Sequence, residues 1–80
     1  MSDAPDWLDE SVPAWLADFA AAIDVPPPTA EEIEQLLKLA GVAAHSSRRQ
    51  AAPVATWLAA QAGLSPAEAI AKAAEVPQRD

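Results

Sequence analysis

Thr29-Ala30-Glu31-Glu32-Ile33-Glu34-Gln35-Leu36-Leu37-Lys38-Leu39-Ala40-Gly41-Val42 holds a helix start and an apolar stripe in one segment. Thr29 followed by Glu32 has the spacing of a capping box, in which each side chain satisfies a backbone amide that has no partner inside the helix. Behind it Ile33, Leu36, Leu37 and Ala40 recur at helical spacing, and Leu39 and Val42 widen the stripe. This predicts the longest helix of the chain, packed on two sides. Gly41 costs roughly 1 kcal/mol relative to alanine inside a helix, so either another backbone passes close by or the last turn loosens before His45, and close packing is the expectation.

On the N-terminal side, Pro26, Pro27 and Pro28 force an extended connector with few hydrogen bonds, a stiff spacer between helices. Before it Ser11 is a candidate cap and Pro13 fits a first turn, while Val12, Trp15, Leu16, Phe19 and Ile23 share one face of a helix expected to end near Asp24. On the C-terminal side, Ser46 to Gln50 reads as a connection. Pro53 then belongs in the first turn of a third helix, because an interior proline would cost about 3 kcal/mol. Val54, Trp57, Leu58 and Ala62 are its expected buried face, and Gly63 with Leu64 reads as a left-handed stop. Ser65, Pro66 and Glu68 restart the chain with a cap, a first-turn proline and a capping-box glutamate.

The expected fold is all-α, a small up-and-down bundle of three main helices plus a weaker fourth helix around Ile70. Residues 1–80 read as one domain, with an acidic lead over 1–10 and a tail over 77–80 that are less ordered. Trp15, Phe19 and Trp57 are expected in the core. Trp7 stands among acids ahead of the first helix, as a lid on the bundle or as an exposed contact for a partner. With Asp9 and Glu10 it forms the candidate interaction surface.

The chain of 80 residues contains no cysteine, so it has neither a disulfide nor a thiolate metal site, in keeping with a cytoplasmic address. No apolar run approaches the roughly 20 residues that span a bilayer, and no signal peptide is evident. The net charge of −7 is uneven: nine acids and no base precede Gln35, and five bases against three acids follow, giving halves of −9 and +2. An acidic surface repels phosphate backbones, so nucleic acid is not an expected partner. The acidic half reads first as a solubilising face with acids near helix N-termini.

Chemistry-bearing constellations are absent from this pattern. One histidine without cysteine cannot supply a zinc site, and Glu31 and Glu32 point to different parts of a helix surface. Gly41 and Gly63 are isolated rather than part of a phosphate loop, and Ser46 and Ser47 beside His45 lack an orienting acid. The chain is therefore expected not to be an enzyme and to hold no cofactor. One cluster remains, His45 with Arg48 and Arg49. It reads as a structural junction, with histidine and arginine meeting free carbonyls at a helix end or pairing an acid such as Asp18. The alternative is a small-anion or nucleotide site completed by the amides of the third helix.

His45, Arg49, then Ala51-Ala52-Pro53-Val54 and Trp57-Leu58, preceded by Trp15-Leu16-Ala17 and Phe19, resemble a family of small bacterial helical domains of unknown function. Its members occur alone or attached to molybdenum-cofactor guanylyltransferase, and many bear the name molybdopterin-guanine dinucleotide biosynthesis protein. The resemblance covers roughly residues 14–63, and the lead through Pro13 departs from the family pattern. It implies a non-catalytic accessory or protein-interaction module in molybdenum-cofactor biosynthesis, with the guanylyltransferase or a related maturation protein as partner. A third reading, an oligomeric helical scaffold, is favoured if the alanine faces and Trp7 stay exposed.

Overall fold

The computed structural model describes residues 8–78, so Trp7 and most of the acidic lead lie outside the described residues. Among them the chain is all-helical, without a strand: α1 is Ser11–Ala22, α2 Ala30–Ser46, α3 Ala51–Gln61 and α4 Pro66–Ala74. The chain divides into two compact units, Met1–Ile33 and Glu34–Asp80, with the boundary inside α2.

In the first unit Asp9, not Ser11, caps α1. Its Oδ1 accepts the Ser11 amide at 2.9 Å and the Ser11 hydroxyl at 2.8 Å, while Glu10 occupies the cap position without a side-chain hydrogen bond. These two hydrogen bonds favour the ionised carboxylate, and the Ser11 amide is the larger cause of an Asp9 pKa held below its ordinary value. At the other end the Val25 amide donates to the Ala20 carbonyl at 2.9 Å and the Asp24 amide to Ala21 at 3.2 Å. That crossed pair is a Schellman stop, and Asp24 takes the left-handed position at φ 61°. Asp tolerates this region because its short polar side chain bonds locally. Thr29 and Glu32 then form the expected capping box, at 2.8 and 3.1 Å.

The buried residues of this unit are Leu8, Ala20 and Ile33. On α1 the inward stripe is Pro13, Leu16, Ala17 and Ala20, spaced i, i+3, i+4, i+7. The expected stripe is corrected: Trp15 is 63% exposed, Phe19 48% and Ile23 53%. Asp18 is the only charged residue in α1, so the helix has two apolar faces, and hydrophobic period alone does not say which one turns inward.

In the second unit Leu39 is buried on α2, with Leu36, Ala40 and Val42 half-buried, whereas Leu37 is exposed. The helix continues past Gly41 to Ser46, which shortens the connection to residues 47–50. Among the described residues a Cβ at Gly41 would find no heavy atom within 4 Å, so none of their backbone makes the expected close approach.

α3 starts with Pro53 in its first turn and ends on a second Schellman stop, with Gly63 at φ 71° and the Leu64 amide donating to Ala59 at 3.1 Å. Its inward stripe is Ala52, Ala55, Thr56 and Ala59, again i, i+3, i+4, i+7. Val54, Trp57 and Leu58, expected inside, are 56%, 60% and 56% exposed, and Ala62 is exposed as well. α3 carries no charged residue, so it has the same ambiguity as α1. α4 opens as expected on the Ser65–Glu68 capping box and turns Pro66, Ala69, Ile70 and Ala73 inward. Within the second unit α3 and α4 thus turn mostly small residues inward.

Candidate functional site

The junction of α2 and α3 is held by main chain. The Ser47 amide donates to Ala43 at 3.0 Å, extending the last turn of α2, and the Ala51 and Ala52 amides donate to the carbonyls of Arg48 and Arg49 at 2.8 and 3.1 Å. The side-chain amide of Gln78 donates to the His45 carbonyl at 3.2 Å, fastening the C-terminal segment to the end of α2. The side chains of His45, Arg48 and Arg49 are exposed. Among the described residues they enter no hydrogen bond or ion pair, and the single ion pair is an exposed Lys38–Glu34 contact at 3.6 Å. The junction is therefore organised by the carbonyls of His45, Arg48 and Arg49, and among the described residues of the second unit the expected hydrogen bonds from their side chains to helix-end groups are not made.

The same geometry bears on anion binding. An anion at a helix N-terminus needs free amides in the first turn. At α3 the first two helical amides already point at carbonyls, and the third residue, Pro53, has none. Two solvated arginines remain, without the backbone cradle that would orient a phosphate.

A stronger chemical feature lies on the outer faces of α1 and α3, where the pattern Val-x-x-Trp-Leu-Ala occurs twice, at residues 12–17 and 54–59. In both copies the valine and tryptophan, one helical turn apart, face solvent. On α1 the indole of Trp15 stacks on the ring of Phe19, with centroids 5.3 Å apart and planes 19° from parallel. A shallow depression of about 360 Å³, bounded by Ser11, Val12, Trp15 and Leu16, opens beside the indole. Asp18 lies three residues from Trp15 on the exposed side of the helix, while Asp9 and Glu10 precede its first turn. This aromatic face has the period of a core stripe, yet it faces solvent. The recurrence of the motif, together with the lack of charge in α3, is the signal in the sequence that marks it out.

Within the second unit a separate cleft of about 210 Å³ runs among Val42, Ala43, Ser46, Ala55, Ala73 and Val76. It is smaller than the roughly 300–1,000 Å³ usual for a small-molecule site, so it suits a single side chain better than a cofactor. No group of three or more histidine, cysteine, aspartate or glutamate side chains converges among the described residues. No helix among them is long and apolar enough to cross a membrane.

No curated protein and no solved structure matches the chain. A family model does match, over residues 8–79, a wider span than the three-helix resemblance and one that takes in α4. From the cap at Asp9 to the capping box at Ser65, the elements described above lie within that span, and the chain belongs to the family described as a domain of unknown function, DUF6457.

Proposed function

We propose that the chain is a non-catalytic protein-interaction module, accessory to the biosynthesis of the molybdenum cofactor molybdopterin guanine dinucleotide, and that it contacts its partner through the outer face of α1. The observation that carries this reading is the stacked, solvent-facing pair Trp15 and Phe19, flanked by Val12 and Ile23. Tryptophan buries a large area at little entropic cost and dominates the energetics of many interfaces. An apolar stripe of this kind, rimmed by acids, fits a protein surface better than a small polar substrate. The stretch from His45 to Leu58 nominates the partner, because it resembles domains that occur alone or attached to molybdenum-cofactor guanylyltransferase.

The test is direct binding of the chain to a molybdenum-cofactor guanylyltransferase at low and high salt. Complex formation is expected, with Trp15→Ala weakening it by at least about tenfold, the scale of an interface anchor. Because Asp9, Glu10 and Asp18 are solvent-exposed, the affinity should also fall as salt screens them. Two folded proteins that form no complex at low salt would remove the accessory role. Equal binding by Trp15→Ala would move the contact away from α1.

A further inference from the structure

We infer that the outer faces of α1 and α3 are mates, and that a second copy of this chain is their occupant, the α3 face of one copy docking on the α1 face of the next. The inference rests on the reading of the chain as an interaction module and identifies one partner for that face. Both faces carry the same exposed valine–tryptophan pair, Val12 with Trp15 and Val54 with Trp57, so each offers a comparable apolar patch. Their electrostatic settings are opposite. Up to Glu34 the sequence has nine acids and no base, whereas between Gln35 and Ala67 it has Lys38, Arg48 and Arg49 and no acid.

Charge selects the pairing. An α1–α1 contact brings Asp9, Glu10 and Asp18 against their own copies, and an α3–α3 contact does the same with Arg48 and Arg49. Like charges brought together across an interface oppose association, whereas opposite potentials favour it and fix its register. The mixed contact alone sets acids beside arginines whose side chains are exposed and carry no ion pair within the described chain. The positive end of the α3 helix dipole, beside Arg48 and Arg49, adds to the match. Such a contact joins two different surfaces, so every contact formed uses one α1 face and one α3 face.

Complementation between two variants tests this. Trp15→Glu disables the α1 face and Trp57→Glu the α3 face, and because both side chains are exposed both variants should still melt cooperatively, Trp15→Glu at a lower temperature through the lost stacking on Phe19. Sedimentation is followed from about 1 μM to about 1 mM chain. Wild type is expected to gain mass with concentration, each variant alone to stay monomeric, and their equimolar mixture to form a dimer and nothing larger. A monomeric wild type throughout, a mixture that stays monomeric, or self-association of either variant alone would overturn the inference. Should a glutamate variant fail to melt cooperatively, Trp15→Gln and Trp57→Gln carry the same test. A monomeric chain that still binds the guanylyltransferase would leave the interaction module standing with this inference gone.

Discussion

Trp15 and Phe19 stack one helical turn apart on the solvent side of α1, their ring centroids 5.3 Å apart, although both rings are about half exposed or more. The pair stabilises the surface of one helix and joins no core. Trp15→Ala should therefore cost about 0.5–1.5 kcal/mol, the worth of an aromatic pair. Trp57, which has no such ring partner among the described residues, should cost less, about 0.5 kcal/mol. Urea unfolding of the two variants checks this, and a loss of about 3 kcal/mol or more at Trp57→Ala would return that side chain to a core.

The two Schellman stops and the helix-interior glycine predict opposite signs for similar changes. Asp24→Gly removes a Cβ from a left-handed position at φ 61° and should stabilise by about 0.5–1 kcal/mol, whereas Gly63→Ala places one at φ 71° and should cost about 1 kcal/mol. Gly41→Ala lies inside α2 with open space around the new Cβ and should gain about 1 kcal/mol. Thermal melts of the three variants distinguish the signs, and a destabilised Gly41→Ala would require a neighbour the geometry does not show.

The capping box of α4 predicts a response to acid. The Ser65 amide and, to a lesser degree, the Ser65 hydroxyl hold the Glu68 carboxyl below its ordinary pKa. A depressed folded pKa means that this stabilisation is present above the ordinary glutamate range and is lost as pH falls through the lower, folded value. The start of α4 should therefore loosen in acid, seen as a shift of the Ser65 amide resonance that follows the Glu68 carboxyl. Glu68→Gln should abolish the pH dependence while keeping most of the cap. Ser65→Ala, which removes the hydroxyl acceptor for the Glu68 amide, should cost about 1 kcal/mol at neutral pH.

At the α2–α3 junction Arg49→Ala should leave the melt within about 0.5 kcal/mol of wild type, because only the Arg49 carbonyl is engaged and alanine retains it. Phosphate and guanine nucleotides should give no saturable rise in melting temperature, since the first amides of α3 are committed or absent. An arginine-dependent rise would establish an anion site there.

Several features were readable from residue order because they depend on neighbours within one turn. The Thr29–Glu32 and Ser65–Glu68 boxes, the Pro53 and Pro66 starts and the Gly63 stop all formed as their spacing predicts. The Asp24 stop was less legible, because aspartate enters the left-handed region only when the rest of the motif holds it there. The candidate face was legible in its composition and illegible in its direction. Trp15, Phe19 and Trp57 have the period of a buried stripe, and so do the alanines beside them.

Residue order by itself determined the helices, their caps and stops, the absence of disulfide chemistry and the split between an acidic and a weakly basic half, because these follow from local backbone preferences and from counting charges. Only tertiary structure decided which face of each helix turned inward. In α1 and α3, where charge is almost missing, packing turned Ala17, Ala20, Ala55 and Ala59 inward, and the large rings were left in solvent. Small side chains let helix axes approach closely, and that gain is made between elements, where no one-dimensional periodicity can register it.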